Sequence, residues 1–214
     1  MRRDGRKKLL AALLIGAIVA VGALNAPRSV RALDPSVDHF VLALTWSPTW
    51  CTLRNDPDHP QCDPERDLAW VVHGLWPQHR VGWPDWCETT ARPSAEDIAT
   101  MATVMPTESL ADYQWRKHGS CTGWTPEEYA AAVVKAAEGL ARPELAVGAA
   151  DAQDVWRAFS SANPDLPRDS FAVICREAHI YEVRICLDTA LSPMACVQEP
   201  RRNCQGKNLV PPVL

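Results

Sequence analysis

Eight cysteines constrain this chain of 214 residues more than any other feature, and all of them fall after residue 50: Cys51, Cys62, Cys87, Cys121, Cys175, Cys186, Cys196 and Cys204. An even number of thiols in an exported protein points to disulfides, because an oxidising compartment joins them and each bridge restricts the unfolded chain. Four bridges are therefore expected. Zinc is the competing use of cysteine, but the sequence has no Cys-x-x-Cys and no paired Cys/His spacing of the zinc type. No cofactor is called for.

The N-terminus reads as the means of export. Arg2, Arg3, Arg6, Lys7 and Lys8 precede an apolar run from Leu9 to Leu24, and Val30-Arg-Ala32 offers small residues for a signal peptidase. The apolar run falls short of the roughly 20 residues a spanning helix needs, so a cleaved signal peptide over 1–32 is expected rather than a membrane anchor. The product would be periplasmic or extracellular, without stable membrane association, and 33–214 is expected to form one domain. Such a length supports a substantial core. Of the 22 Lys and Arg and 26 Asp and Glu, seven bases and one acid lie in 1–32, which leaves 15 bases against 25 acids and a formal charge of −10. So acidic a protein is not a general nucleic-acid binder. A polyanion would have to be met at a local site, and low pH would ease the repulsion.

Hydropathy alternation predicts strands over His39–Trp46, Leu68–His73, Phe171–Cys175 and His179–Leu187, the last with Ile180, Glu182, Arg184 and Cys186 sharing a face. Ser47-Pro-Thr-Trp-Cys51 is expected to end the first strand, and 55–64 to be a polar loop carrying a solvated His59. Ser94-Ala-Glu-Asp97 and Thr125-Pro-Glu-Glu128 are capping boxes that open helices reaching about Val104 and Leu140. Leu110–Lys117 and Ala152–Ser161 also read as helical. Gly74 is expected to let the backbone turn after His73 and approach a ligand closely. Trp83 and Trp86 are assigned to the core rather than to a stacking wall, and His179 to a structural role. No repeat, low-complexity segment or interdomain linker is present.

Two segments concentrate chemistry: Trp70-Val-Val-His-Gly-Leu-Trp-Pro-Gln78 and Tyr113-Gln-Trp-Arg-Lys-His-Gly-Ser-Cys121. Each brings one histidine among aromatics, and the second sets Lys117 directly before His118. Histidine is the side chain whose ordinary pKa lies near neutrality, so two can divide the duties of acid and base. A neighbouring ammonium suits a reaction that builds negative charge on phosphate. Internal transesterification of RNA needs this set. The 2′-hydroxyl loses a proton and attacks phosphorus, the 5′-oxygen leaves and gains a proton, and DNA, without the 2′-hydroxyl, is immune.

The two histidine segments closely resemble the active-site segments of the ribonuclease T2 family. Phe40-Val-Leu-Ala-Leu-Thr-Trp-Ser-Pro-Thr-Trp-Cys51 resembles that family's first strand, and Tyr181-Glu-Val-Arg-Ile-Cys-Leu-Asp188 a late one. The resemblance runs from Asp38 to about Cys204. It implies an α+β fold, with helices packed on a central antiparallel sheet. It also implies endonucleolytic cleavage of single-stranded RNA through a 2′,3′-cyclic phosphate, with low base specificity. Carried onto matching positions, His118 is the general base and His73 the general acid of the first step. Lys117 stabilises the transition state, and Trp76 offers a stacking surface that tolerates any base. The implied disulfides are Cys51–Cys62, Cys87–Cys121, and Cys175–Cys204 enclosing Cys186–Cys196.

This chain departs from the common pattern at two positions. Tyr113-Gln114-Trp115 stands where many members read His-Glu-Trp, and Gln114 can hydrogen-bond at the phosphate but cannot ionise. Tyr113 can donate to a phosphate oxygen without carrying charge. Gln78 is a further candidate for contact with a base. The expectation is a monomeric endoribonuclease with an altered rate or pH profile. The competing reading is a ribonuclease-like module that binds RNA or a partner without cutting it. A carbohydrate or protein binder built on the nine tryptophans would leave both histidine segments unexplained.

Overall fold

A computed structural model describes residues 31–197 and 204–213; most of the segment read as a signal peptide therefore lies outside the described residues. The architecture is α+β. Six strands form one sheet: β1 (His39–Trp46), β2 (Trp70–Gln78), β3 (Gly148–Ala150), β4 (Phe171–Arg176), β5 (His179–Leu187) and β6 (Asn208–Val210). They run in the order β2-β1-β5-β6-β3, with β4 also paired to β5. Pairing is antiparallel except between β5 and β6, which meet in parallel at His179 and Leu209. The sheet is thus mixed rather than wholly antiparallel, because the tail returns alongside β5 after its disulfide.

Among the described residues five α-helices accompany the sheet: α1 (Ser47–Arg54), α2 (Ala95–Ala102), α3 (Glu108–Lys117), α4 (Pro126–Glu138) and α5 (Ala152–Ala162). Both expected capping boxes form, and Asp151 with Asp154 makes a third at the start of α5. Each satisfies amide donors that the first helical turn leaves open. The segment after Trp46 does not simply end the strand. It turns into α1, for which Pro48 in the first turn is already preset.

One face of the sheet makes the core. Phe40, Leu42, Leu44 and Trp46 of β1 are buried there with Val72 and Leu75 of β2 and Val183, Ile185 and Leu187 of β5. Tyr129 of α4 ties the site-bearing elements together. Its ring meets Trp115 of α3 at 5.8 Å, and its hydroxyl donates to the Leu75 carbonyl at 2.8 Å. Four disulfides join Cys51 to Cys62, Cys87 to Cys121, Cys175 to Cys204 and Cys186 to Cys196.

Two bulges change what alternation alone suggests. In β2, Ala43 pairs with Gly74 and Leu44 with Val72, so His73 is an extra residue opposite no partner. In β5, Ile174 pairs with Glu182 and Cys175 with Ile180, which makes Tyr181 the extra residue. A bulge shifts the phase of a strand and re-aims its side chains. Ile180 therefore joins the core, while Glu182 and Arg184 take the opposite face, correcting the shared face expected for all three. Gly74 likewise marks no turn; β2 runs straight through it to Gln78.

Candidate active site

The bulge at His73 leaves its imidazole partly exposed and sets Nδ1 2.8 Å from Oε2 of Glu182. Glu182 reaches it from β5, across Thr45 of the intervening β1, with which it is paired. Its carboxylate is 1% exposed, and its other oxygen accepts from Nε of Arg184 at 2.7 Å. Burial opposes the charge on Glu182, but the hydrogen bond and charge of His73, with the Arg184 guanidinium, outweigh it. Its pKa therefore lies below the ordinary carboxylate value.

His118 arrives from the other side of the site. It caps the C-terminus of α3, its amide donating to the Gln114 carbonyl at 2.9 Å. Gly119 follows with its α-carbon against the rings of Trp115 and Tyr129, where a β-carbon would collide. The imidazole of His118 is buried, and its Nδ1 finds no hydrogen-bond partner among the described residues. Burial, then the charges of Lys117 and His73, push its pKa down to about 3. The ring is thus neutral near pH 7 and able to accept a proton.

Trp76 contacts both imidazoles, His73 edge-on at 5.4 Å and His118 at 5.5 Å with a tilt of 33°. Its indole N–H donates to Oε1 of Gln114 at 2.9 Å, and the Arg184 guanidinium lies over its ring at 5.1 Å. Gln114 is 1% exposed. It sits against Gly74, whose missing β-carbon makes room for the amide and the indole. This is the close approach expected of Gly74, but toward the protein's own side chains. Lys117 ends α3 with its ammonium 5.8 Å from the ring of Tyr113, one helical turn earlier. Tyr113 is exposed and takes the edge of Trp86 at 5.5 Å.

Of the residues singled out in the sequence, His73, His118, Trp76 and Gln114 stand in one connected cluster, with Lys117 and Tyr113 at its margin. Gln78, two residues beyond Trp76 on β2, spends its amide on the carbonyls of Pro77 and Trp76 at 2.9 and 3.3 Å. Trp83 and Trp86 are not core residues; they are 58% and 51% exposed. Nor is His59 freely solvated. It accepts the Gln61 amide at 3.1 Å and packs on Trp50 at 4.5 Å. With Thr45, Leu110, Tyr113 and Tyr181 these two rings help line a cavity of about 280 Å³ that opens beside His73.

Sequence reasoning missed Glu182 and Arg184. Their signal was present as two opposite charges on one face of an otherwise apolar strand, but only the pairing of β5 and β2 with β1 brings that face to His73.

Comparison with solved structures defines the class first. The chain has the fold of an RNase-related protein from Calystegia sepium, with a TM-score of 0.63 at 22% identity over 83% of this chain and 98% of that one. Ribonuclease MC1 from bitter gourd seeds matches with a TM-score of 0.61 at 17% identity, over 81% and 100%. At these identities the likeness establishes the fold. Membership follows from the sequence: the ribonuclease T2 family model matches residues 37–196, most of the chain and every residue of the cluster, so this chain belongs to the ribonuclease T2 family. It is 33% identical over 117 residues to a ribonuclease of Aeromonas hydrophila, covering 52% of this chain and 53% of that protein. It is 26% identical to ribonuclease I of Escherichia coli, covering 58% and 62%. The chain spans about half the length of the curated relatives it matches.

Proposed function

We infer that this protein is an endoribonuclease that cleaves single-stranded RNA by transesterification through a 2′,3′-cyclic phosphate. The observation that carries the reading is the unequal state of two histidines around one indole. His118 is buried and held neutral beside a lysine, and His73 is bonded to a buried carboxylate. His118 takes the proton of the 2′-hydroxyl as the new bond to phosphorus forms. His73 gives a proton to the 5′-oxygen as the old bond breaks, and Lys117 offsets charge on the nonbridging oxygens. In the second step the roles reverse, His73 drawing a proton from the water that opens the cyclic phosphate.

Loose base specificity is supported by the character of the surroundings. The rings of Trp50, Tyr113 and Tyr181 are among those lining the cavity beside His73, Trp83 and Trp86 are exposed on their loop, and stacking tolerates every base. Gln114 does not serve as the family's glutamate in this reading. Its amide is committed to Trp76, so it positions the indole between the two imidazoles. The four disulfides suit an oxidising compartment, periplasmic or extracellular.

The test is incubation of the oxidised protein with single-stranded RNA and DNA in chelator, from about pH 4 to 8. RNA fragments with cyclic phosphate ends and intact DNA are expected. His73→Ala and His118→Ala should each lower the rate about a hundredfold or more. The neutral Gln114 favours one other reading, a module that binds RNA without cutting it. RNA bound by a folded wild-type protein and left whole at every pH would establish that reading instead.

A further inference from the structure

We propose that Glu182 is the positioning residue of the acid, holding the proton of His73 on Nδ1 so that Nε2 faces the scissile phosphate. The proposal rests on the reading of His73 as the group that protonates the 5′-oxygen.

A carboxylate buried to 1% exposure inside a strand is costly unless its oxygens are engaged. Those of Glu182 are. One accepts from Arg184 at 2.7 Å; the other meets His73 at 2.8 Å and Thr45 Oγ1 at 3.5 Å. Arg184 and Thr45 are fixed by the sheet, so the carboxylate is a rigid acceptor aimed at one imidazole nitrogen. An imidazole whose Nδ1–H is held this way presents Nε2 to the substrate in either protonation state. In the first step the Nε2–H bond breaks, an O–H bond forms on the departing 5′-oxygen, and the neutral ring keeps its Nδ1–H on Glu182. Free Nε2 is then ready to take a proton from water in the second step. Arg184 links this pair to the indole, since its guanidinium spans from Glu182 to the Trp76 ring across the small residues Ala43 and Gly74.

The role is read by comparing two substrates in Glu182→Gln, Glu182→Ala and His73→Ala. One is a dinucleoside phosphate, whose alkoxide must be protonated as it leaves. The other is a uridine 3′-phosphodiester of 4-nitrophenol, which leaves without a proton. Loss of Glu182 is expected to lower kcat on the dinucleoside phosphate roughly ten- to a hundredfold with KM nearly unchanged, and to spare the nitrophenyl ester. The double variant with His73→Ala should be no slower than His73→Ala alone.

Equal losses on both substrates, while His73→Ala still discriminates between them, would overturn the proposal and leave His73 as the acid. A His73→Ala variant that fails to discriminate would instead defeat the reading of His73 and the proposal with it. If neither Glu182 variant folds, the ring ¹⁵N shifts of neutral His73 in the wild-type protein decide. A proton on Nδ1 supports the proposal and one on Nε2 overturns it.

Discussion

His118 shows how one buried ring ties chemistry to stability. Its folded pKa of about 3 lies below the ordinary 6.5 because of burial first and the nearby cations second. Above pH 6.5 neither the folded nor the unfolded chain protonates it, so it makes no pH-dependent contribution. As the pH falls below 6.5 the unfolded chain takes up a proton that the folded ring refuses, and stability declines until about pH 3. The slope approaches about 1 kcal/mol per pH unit. Urea denaturation at about pH 7 and pH 5 is expected to show wild type losing roughly 1–2 kcal/mol more than His118→Phe. Glu182 works lower down: its depressed pKa supports the fold above the ordinary carboxylate value, and that support is lost only in stronger acid. His39, also buried and held below its ordinary value, adds to the same decline between neutrality and mild acid. The difference between wild type and variant therefore isolates His118.

At the scale of elements, the site depends on where β5 places Glu182, and β5 is registered by its hairpin with β4. Glu177 and Ala178 turn that hairpin with φ of 49° and 60°. Two successive left-handed residues make the turn that matches strand twist, but Asn-Gly is the pair that adopts it without steric cost. Glu177→Asn with Ala178→Gly is expected to stabilise the protein by about 1 kcal/mol or more, raising Tm by several degrees. Cleavage should be unchanged, because the pairing of β5 with β1 stays as it is. A drop in Tm would mean that the present turn is supported by contacts of the Glu177 side chain. β2 obeys the same logic from the other side. Its bulge aims His73, and its glycine lets α3 bring Gln114 against Trp76. The bulge and the glycine act on adjacent residues, so His73 and the indole are set by a single irregularity.

At the scale of the whole molecule, the disulfides divide by what they connect. Cys87–Cys121 spans 34 residues and joins the loop after β2 to the turn that follows His118. Cys186–Cys196 spans 10 and ties the end of β5 to the loop that follows it, joining neither histidine segment. Chain entropy alone assigns the longer loop about 4 kcal/mol and the shorter about 3. Paired Cys→Ser variants should therefore melt in that order, with the Cys87–Cys121 variant the less stable. Assayed at a temperature where both remain folded, only the Cys87–Cys121 variant is expected to lose a large share of cleavage. Its bridge holds Trp86, whose amide donates to the Lys117 carbonyl at 2.8 Å, against the end of α3.

Much of the molecule could be read from local chemistry. The alternation of His39–Trp46 gave a strand with the observed bounds, and the boxes at Ser94 and Thr125 fall on the observed N-caps. A cap is a contact among four successive residues, so it survives without knowledge of the rest. The two histidine segments and the lysine were legible for a related reason: acid–base chemistry restricts the residue types that can perform it. What sequence could not supply was phase and partnership. The bulges at His73 and Tyr181 exist only against β1 and β4; the first aims His73, and the second moves Ile180 off the face that Glu182 and Arg184 share. Hydrophobicity assigns Trp83 and Trp86 to the core, yet their loop is held by a backbone hydrogen bond and a disulfide, and both residues stay about half exposed, Trp86 against Tyr113. The sequence by itself singled out the groups proposed to do the chemistry and determined how many bridges hold the chain. Only the tertiary structure decided that a buried glutamate stands behind one histidine and bare burial behind the other, because register and desolvation belong to the packed sheet.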